Sequence, residues 1–445
     1  MTMAPHTPAG SPAARSRDIS ADVAVVGGGI IGHGIAWEAR QSGRSVVLID
    51  DAPGTGASWA AAGMLAPVSE LHYQEEDLLE LMLHSSGLWP AFAASLETEG
   101  VPGESGSGGP DTGYLTTSTL AVGADAADRR ALADLRGVQL SSGLTVEPLT
   151  VREARAREPL LSPGISCAFD IPADHQVDPR KLLALIAESL AGSAVRRRAA
   201  GLLWEDGRVS GVSLAGGGAV HAAETIIANG LESASLGGLP AGLKLPLRPV
   251  YGDILRLRVP AYLRPLLTST VRGMVHGVPV YIVPRQDGTV VIGATQREDA
   301  LPGADAADLG AGHATPIRSA VSAGGVYQLL RDAQVLVPAV AELELLEATA
   351  RARPGTPDNA PLLGRVAVAG TGKDVEGLII ATGFFRHGVL LTPAAASICR
   401  QLMDGTADVR WAPFRPDRFS GLSPTPATPA TPPNIVTIDP NKETA

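Results

Sequence analysis

The stretch Val25-Val-Gly27-Gly-Gly29-Ile-Ile-Gly32 decides the fold, because it contains the pattern G-x-G-x-x-G. The pattern alone is a weak indication in a chain with 51 glycines among 445 residues, and Gly216-Gly-Gly218 is a similar run that suits a hairpin turn. Its surroundings make it specific. An apolar strand is predicted over 22–26, a helix from Ile30 to Gln41, and a second strand over 46–49. This order predicts a Rossmann-type unit in an α/β protein.

Each glycine of the pattern has a physical role in holding a dinucleotide. Gly27 makes the tight turn, Gly29 lets the backbone approach a pyrophosphate, and Gly32 lets the helix pack closely on the strand. The helix N-terminus presents unpaired N–H groups to the phosphates. Asp50 ends the second strand at about the expected spacing and can accept hydrogen bonds from ribose hydroxyls, which favours FAD or NAD over NADP. The residues of this segment predicted to bind the cofactor are Gly27, Gly29, Ile30, Ile31, Gly32, Asp50 and Asp51.

Composition narrows the class of protein further. The apolar share of 45% is ordinary for a globular chain with a substantial core. The formal net charge of −10 argues against a nucleic-acid-binding surface, which would be basic. The two cysteines, Cys167 and Cys399, exclude a disulfide framework and a cysteine-rich metal or iron–sulfur site.

Both ends of the sequence are predicted to be unstructured tails. Residues 1–17 are rich in Pro, Ala and Ser and lack the apolar region of a secretory signal, and residues 413–445 include the run SPTPATPATPP. The apolar stretch 21–37 is short and rich in glycine, so no membrane span is predicted. We therefore expect a cytoplasmic protein.

The rest of the chain alternates strand-like and helix-like segments. A helix is predicted over 178–191 with Asp178 as its N-cap, and Thr150-x-x-Glu153 predicts the capping box of another. A late strand over 377–381 leads through a loop into a helix over 388–403. The other predicted strands cover residues 195–204, 208–214, 224–228, 250–259, 278–284 and 289–294.

Four ordered stretches carry a family resemblance. They are Gly56-Ala-Ser-Trp-Ala-Ala-Ala-Gly-Met-Leu65, Tyr281-Ile-Val-Pro-Arg285 with the strand after it, Arg353-Pro-Gly-Thr-Pro-Asp358, and Ala381-Thr-Gly-Phe-Phe-Arg-His-Gly388. Together they resemble the D-amino-acid-oxidase-type flavoproteins, and most closely the glycine oxidases of thiamine biosynthesis. The resemblance covers about residues 20–412. It implies a GR2-like Rossmann-type FAD-binding domain interleaved with an antiparallel-sheet substrate domain.

The resemblance implies further contacts with FAD. A run of small residues from Ala60 to Gly63 suits backbone packed against a flat ring, although it would equally suit a tight helix–helix contact. Glycines in the later loop again fit close backbone approach. The implied FAD contacts are Ala57, Ser58, Ala62, Gly63, Met64, Ala200, Gly383, Phe384, Phe385, Arg386, His387, Gly388, Val389 and Leu390.

The resemblance also implies a clamp for a substrate carboxylate. Arg353 matches the family arginine that pairs with the carboxylate, and a planar guanidinium can do so bidentately. Tyr281 matches the tyrosine that donates its hydroxyl to the same group. Without the resemblance, the plainer interpretations are a solvated arginine and a core tyrosine. Arg386 is expected at the substrate or the flavin, whereas His387 is interpreted as structural.

Two departures from related patterns are informative. Related sarcosine oxidases attach flavin through a cysteine shortly before a Thr-Pro-Asp run, and residues 344–355 contain no cysteine, so non-covalent FAD is predicted. Pro279 lies in a stretch that varies among glycine oxidases, which leaves the substrate preference open.

The resulting hypothesis is an FAD-dependent oxidative deaminase of glycine and other small amines, with O2 reduced to H2O2 and the imine passed to a thiazole synthase. The alternatives are a D-amino-acid or sarcosine oxidase or dehydrogenase, or an FAD-binding module without turnover. A homo-oligomer is expected. The predicted FAD domain comprises 18–88, 174–246 and 345–412, and the predicted substrate domain 89–173 and 247–344.

Overall fold

The computed structural model describes residues 18–99, 109–299 and 319–421. The predicted tail 1–17 and the part of the other tail after residue 421 therefore lie outside the described residues. The strands are β1 Ile19–Val26, β2 Val46–Ile49, β3 Met64–Leu65, β4 Thr119–Gly123, β5 Glu147–Leu149, β6 Cys167–Ile171, β7 His175–Gln176, β8 Ala194–Val195, β9 Ala199–Glu205, β10 Arg208–Leu214, β11 Ala219–Ile227, β12 Arg248–Arg258, β13 Thr270–Val275, β14 Val278–Pro284, β15 Thr289–Gly293, β16 Glu344–Gly355, β17 Leu362–Gly364 and β18 Leu378–Thr382.

Helices alternate with these strands along much of the chain. The α-helices are α1 Ile30–Gln41, α2 Ala57–Ala60, α3 Glu76–Glu99, α4 Ala126–Ser141, α5 Val151–Arg157, α6 Pro179–Ser189, α7 Ala323–Leu336 and α8 Thr392–Asp404. Short 3-10 turns cover Ala191–Ser193, Gly230–Ser235, Ala261–Leu263, Pro338–Glu342, Val409–Phe414 and Pro416–Phe419. None of the helices in the described ranges is long and apolar enough to cross a membrane.

The first sheet contains the glycine pattern. Its order is β17-β18-β11-β1-β2-β8, with β9 and β10 attached beside β11, and β18, β11, β1, β2 and β8 run parallel to one another. In β1, Val23 and Val25 face one apolar cluster with α1 and α8, whereas Ala24 and Val26 face another. Burial on both faces explains why β1 and β2 are continuous apolar runs and not alternating ones.

The second sheet has the order β16-β12-β15-β14-β13-β4-β6-β5. Its neighbouring strands are antiparallel except for the parallel pair β13 and β4. Helix α7 covers one face, where Leu329 and Leu336 pack with Ile282 and Ile292. The predicted combination of a parallel, Rossmann-type sheet with a largely antiparallel second sheet is confirmed.

Several predicted elements are confirmed in detail. Helix α6 begins after Asp178, whose carboxylate accepts the N–H groups of Arg180 and Lys181. Helix α5 has the predicted capping box between Thr150 and Glu153. The last helix, α8, begins at Thr392 and not at 388, because the chain before it forms a turn in which Phe385 has a positive φ of 46°.

Three elements of the structure extend across or beyond the predicted domain boundaries. Helix α3 runs through the boundary at 88, because Trp89 and Phe92 pack in the same cluster as Ile35 of α1. Residues 345–355 belong to the second sheet, since β16 pairs with β12 along its length. Residues 413–421, at the start of the predicted tail, are part of the folded structure, because Phe414 is buried in the first sheet's cluster.

Candidate active site

One large cavity of about 1010 Å³ opens between the two sheets. Its wall includes the glycine pattern and the ends of β1 and β2 on one side, and residues of β12, β14 and β16 on the other. The loop between β18 and α8 closes a further side. Within the described ranges no group of three His, Cys, Asp or Glu residues is placed to hold a metal ion.

The turn between β1 and α1 leaves bare backbone toward the cavity. Gly27 has a φ of 113°, and a Cβ there would lie 2.5 Å from the carbonyl carbon of Ala228. A Cβ on Gly32 would overlap the carbonyl oxygen of Gly27, so this glycine lets the helix pack against the turn. By contrast, a Cβ on Gly29 would meet only Ser58 Oγ, at 3.5 Å. Gly29 therefore leaves space for a ligand, whereas Gly27 and Gly32 serve the fold itself.

The acid at the end of β2 supports this turn. Asp50 accepts the N–H of Gly28 at 2.5 Å and the N–H of Ala52 at 2.7 Å. Burial raises the pKa of Asp50, although these two hydrogen bonds oppose the rise. Asp50 and Asp51 both lie on the cavity wall, as do Ile30 and Ile31 at the start of α1. The N–H of Ile30 donates to Ser58 Oγ at 2.9 Å.

The run of small residues after β2 also lies on the cavity wall. Ala57, Ser58, Ala62, Gly63 and Met64 are all placed there. Gly63 has a φ of 74°, and a Cβ on it would strike the carbonyl oxygen of Val177, which shows how tightly the backbone passes.

Arg285 fixes this run, and no sequence pattern assigned it a role. The buried guanidinium of Arg285 donates to the carbonyl oxygens of Ala62 and Val177, the second at 2.8 Å. Arg285 directly follows β14 and is four residues after Tyr281. Because side chains alternate between the two faces of a strand, this even spacing places Arg285 on the same side as Tyr281. The spacing was therefore the feature of the sequence that could have identified Arg285.

The residue predicted near the adenine, Ala200, adjoins the cavity wall. Arg198 and Ala199 lie on the wall, whereas Ala200 is the next residue of β9 and is not part of it. The carbonyl oxygen of Ala200 accepts the N–H of Gly237 at 3.2 Å. The contact of Ala200 with FAD stays a prediction.

The loop from Gly383 to Leu390 lies on the cavity wall over its whole length. Gly383 has a φ of 74°, and the N–H of Phe385 donates to the carbonyl oxygen of Pro354 at 2.9 Å, which joins the loop to the end of β16. Burial lowers the pKa of His387 to about 4, so its imidazole is neutral near pH 7. This agrees with its interpretation as a structural residue.

Tyr281 and Arg353 meet on the opposite wall of the cavity. Tyr281 lies on β14 directly across from Gly293 of β15, where a Cβ would overlap the tyrosine hydroxyl. A Cβ on Gly252 of β12 would lie 2.5 Å from Nη1 of Arg353. Burial raises the pKa of Tyr281, and the charge and hydrogen bond of Arg353 oppose that rise. The two glycines thus leave the space in which the side chains of Tyr281 and Arg353 lie together.

Two charged residues near Tyr281, Arg272 and Glu70, were not predicted, and they lie beside the predicted residue Arg386. Arg272 of β13 lies directly across from Tyr281 and forms an ion pair with Glu70. The other oxygen of Glu70 lies 3.4 Å from Nη1 of Arg386. Burial alone would raise the pKa of Glu70, but Arg272 and Arg386 hold it well below its usual range. All of these charged residues lie on the cavity wall.

A turn typical of dinucleotide-binding enzymes and the predicted arginine–tyrosine pair lie on one cavity. The family model described as DAO, FAD dependent oxidoreductase, matches residues 22–402. The chain therefore belongs to the DAO family of FAD-dependent oxidoreductases, and the family resemblance predicted from the sequence is confirmed.

Individual relatives agree with this assignment. The glycine oxidase of Geobacillus kaustophilus is 34% identical over 394 residues, which cover 86% of this chain and 93% of that protein. The bifunctional protein ThiO/ThiG of Trichormus variabilis is 30% identical over 408 residues, and the match covers 89% of this chain but 55% of that protein. The crystal structure of glycine oxidase from Geobacillus kaustophilus has a TM-score of 0.74 at 30% identity, covering 90% of this chain and 99% of that one.

Proposed function

We propose that the chain is an FAD-dependent oxidase that converts glycine, and other small primary or secondary amines, to the imine while O2 is reduced to H2O2. The observation that carries the proposal is that Arg353 and Tyr281 lie on the same cavity as the bare turn at Gly29. The names of the relatives, glycine oxidase among them, support the same activity.

The residues of the cavity fit an FAD molecule held without a covalent bond. The space above Gly29 and the start of α1 suit a pyrophosphate, and Asp50 and Asp51 lie where ribose hydroxyls would follow. The small residues 60–63 and the Gly383–Leu390 loop would hold the flavin ring and its ribityl chain. No cysteine occurs among the described residues of the cavity wall. When bound there, FAD would supply the acceptor for a hydride from the substrate carbon and the route by which the electrons reach O2.

The side chains of the opposite wall orient the substrate. Arg353 pairs with the substrate carboxylate, and hydrogen bonds to charged partners of this kind are worth about 1.5–3 kcal/mol each. Because burial raises the pKa of Tyr281, its hydroxyl stays protonated and donates to the same carboxylate. Together these groups fix the position of the α-carbon, which is the main contribution that the protein makes to the rate.

The charges around the site also select the protonation state of the substrate amine. Three arginines, Arg272, Arg353 and Arg386, lie at this end of the cavity, where Glu70 pairs with Arg272 and Arg386 and the buried carboxylate of Asp174 also acts on Arg272. This excess of positive charge disfavours an ammonium group, so the amine binds as the free base that oxidation requires. The chain needs no separate catalytic base for the reaction.

The overall reaction for glycine consumes O2 and, once the imine is hydrolysed, water, and it yields glyoxylate, ammonia and H2O2. We propose that in the cell the imine passes instead to a thiazole synthase of thiamine biosynthesis, as the name ThiO/ThiG of one relative suggests. A cytoplasmic location and a homo-oligomer belong to the same proposal.

Oxygen uptake by the purified, FAD-loaded protein tests the proposal. Glycine, sarcosine, D-alanine and D-proline are offered in parallel, with peroxide as the second readout. We expect uptake with glycine and one H2O2 for each O2. Uptake confined to sarcosine or a D-amino acid would indicate one of the related oxidases, and bleaching of the flavin without oxygen uptake would indicate a dehydrogenase. A flavin that no amine bleaches would indicate a binding module.

Acid precipitation tests whether FAD is held without a covalent bond. After precipitation, the yellow colour should stay in the supernatant.

A further inference from the structure

Asp174 is a buried carboxylate behind the substrate end of the cavity. Its side chain is fully enclosed and is not part of the cavity wall. It accepts the N–H of Val68 at 2.9 Å and the N–H of Ser69 at 3.0 Å. The next residue is Glu70, which lies on the cavity wall. Asp174 therefore fixes the backbone that directs Glu70 into the substrate end.

Two further hydrogen bonds tie the same backbone to neighbouring elements. The side-chain amide of Gln139, on α4, donates to the carbonyl oxygen of Val68 at 3.0 Å. The hydroxyl of Thr119, on β4, donates to the carbonyl oxygen of Asp174 at 3.3 Å. The position of Glu70 is thus set by several parts of the chain and not by its own side chain alone.

Glu70 and Asp174 both act on the arginines at this end of the cavity. One oxygen of Glu70 pairs with Arg272, and the other lies 3.4 Å from Nη1 of Arg386. Burial alone would lower the pKa of Arg272, but the charges of Glu70 and Asp174 outweigh it and raise that pKa. Burial raises the pKa of Asp174 to about 6, so this carboxyl group is ionised near pH 8.

The charges at this end then sum to one positive charge. The three arginines Arg272, Arg353 and Arg386 face the two carboxylates Glu70 and Asp174. Burial keeps the other titratable groups at this end uncharged near pH 8, namely Tyr281, His72 and His387. The single remaining charge is the one that a substrate carboxylate neutralises.

Without the two protein carboxylates, a substrate carboxylate would have a choice of partners. Arg272 lies directly across from Tyr281 in the pair β13 and β14, and Tyr281 is hydrogen-bonded to Arg353. A guanidinium without a carboxylate partner would attract the substrate as Arg353 does. A substrate held there would have its α-carbon in the wrong place, and it would not react.

Resting on the proposed function, we propose that Asp174 is a positioning residue: together with Glu70 it neutralises Arg272 and Arg386, and it thereby confines the substrate carboxylate to Arg353. The two protein carboxylates thus select one orientation of the substrate. Their loss should strengthen the binding of a carboxylate and weaken the reaction.

Acetate is the probe for carboxylate binding, because it has the carboxylate of glycine and no amine. Titration of the FAD-loaded protein at pH 8, followed by flavin absorbance, gives its Kd. In Glu70→Gln the Kd for acetate should fall about tenfold, since a charged hydrogen bond is worth about that factor or more. In Asp174→Asn the Kd should fall a few-fold, because Glu70 still carries its charge.

Steady-state oxygen uptake with glycine gives the second readout. Binding in an unreactive orientation competes with binding in the reactive one, so kcat and KM should fall together in both variants. We expect kcat/KM to stay near the wild-type value. A merely structural defect would lower kcat/KM and would not lower KM.

The double variant Arg353→Ala/Glu70→Gln reveals the competing site directly. Arg353→Ala alone should weaken acetate binding about 100-fold, because two charged hydrogen bonds are lost. Addition of Glu70→Gln should recover at least about tenfold of this affinity, since Arg272 and Arg386 then bind acetate in place of Arg353. A purely structural role of Glu70 predicts no recovery.

Asp128→Asn is the matched control for Asp174→Asn. Asp128 is also buried, and it accepts the N–H groups of two successive residues, His276 at 3.1 Å and Gly277 at 2.8 Å. It is not part of the cavity wall. The control should lose stability as Asp174→Asn does, but it should keep the wild-type Kd for acetate and KM for glycine.

Three results would overturn the inference: weaker acetate binding in Glu70→Gln, no recovery in the double variant, or an equal change of Kd in Asp128→Asn and Asp174→Asn. If Asp174→Asn fails to fold, Asp174→Ser takes its place, because a hydroxyl can still accept one of the two N–H groups. Oxidation of glycine with an acetate Kd unaffected by Glu70→Gln would defeat this inference alone. The expected acetate results without oxidation of any amine would defeat the proposed function alone.

Discussion

The two ends of the cavity are built in different ways. The end with the glycine pattern consists of backbone from one continuous stretch, in which Gly27 and Gly32 have no room for a Cβ. The end with Tyr281 consists of side chains, and they come from β13, β14, β16 and two loops. The first end excludes side chains for steric reasons, whereas the second is defined by charge. Substitutions at the first end should therefore affect stability and flavin binding, whereas substitutions at the second end should affect substrate binding.

Gly27→Ala should have the largest effect. The new Cβ would lie 2.5 Å from the backbone of Ala228, and the φ of 113° is one that an alanine rarely adopts. We expect a loss of about 3 kcal/mol or more in the free energy of unfolding, and less than about a tenth of the flavin retained per chain. Chemical unfolding and the ratio of flavin to protein absorbance measure the two effects.

Gly137→Ala is the control for that substitution. Gly137 lies in helix α4, and no atom lies within 4 Å of the position of its Cβ. Alanine should be neutral there or stabilise by up to about 1 kcal/mol. If Gly27→Ala kept a full complement of flavin, the steric account of this end would be wrong.

Arg353→Ala should weaken substrate binding at the end with Tyr281, while the end with the glycine pattern stays intact. Removal of two charged hydrogen bonds should raise KM for glycine about 100-fold or more, with the flavin content unchanged. Steady-state oxygen uptake gives KM, and absorbance gives the flavin content. Arg258→Ala, which removes an exposed arginine from the neighbouring strand, should leave both values near those of the wild type. An unchanged KM for Arg353→Ala would remove this residue from the clamp.

Gly252→Ala tests the comparison between the two ends further, because it introduces a steric clash at the end with Tyr281, which is defined by charge. The φ of Gly252 allows an alanine, but the new Cβ would lie 2.5 Å from Nη1 of Arg353. The guanidinium must move while its charge remains, so KM should rise about tenfold, less than in Arg353→Ala. The double variant should be no worse than Arg353→Ala alone. Additive losses would show that Gly252 acts through something other than Arg353.

Arg285→Lys should have the smallest effect, and it tests a side chain that supports the run of small residues at the backbone-built end. A lysine can replace only one of the two hydrogen bonds to Ala62 and Val177, because it lacks the planar fork. We expect the Kd for FAD to rise a few-fold and KM for glycine to change little. Fluorescence titration of the apoprotein with FAD measures the first quantity. A change in KM with no change in Kd would place Arg285 with the substrate end instead.

The difference between the two ends of the cavity also decides which parts of the site could be predicted from the sequence. The turn, α1 and β2 were predictable because their residues are contiguous and the strands are buried on both faces. Arg353 and Tyr281 could be predicted only through the family resemblance, and the structure places both on the cavity. Glu70 and Arg272 are 202 residues apart, and no local pattern marks either as a partner of the other. Their pairing depends on how the second sheet is placed, which local periodicity does not specify.

The edges of the elements show a similar limit. The family resemblance implied Ala200 as an FAD contact, and the cavity wall contains the two residues before it, Arg198 and Ala199. Residues 345–355 were predicted as part of the FAD domain, yet β16 pairs with β12 in the other sheet. Pairing between strands is a long-range property, and single-sequence patterns carry little information about it.

The interleaving of the two sheets has a consequence for synthesis of the chain. Strand β1 is synthesised early, but its partner β11 is synthesised about 200 residues later, since Ile19 pairs with Val220. Strand β18, which pairs with β11, is synthesised only when most of the chain is complete. At about 5–20 residues per second, the apolar face of β1 stays without this partner for roughly 10–40 s. Such delayed pairing makes folding slow and exposes the nascent strand to aggregation. The protein should therefore depend on chaperones that bind nascent chains, and its yield should fall steeply when they are depleted.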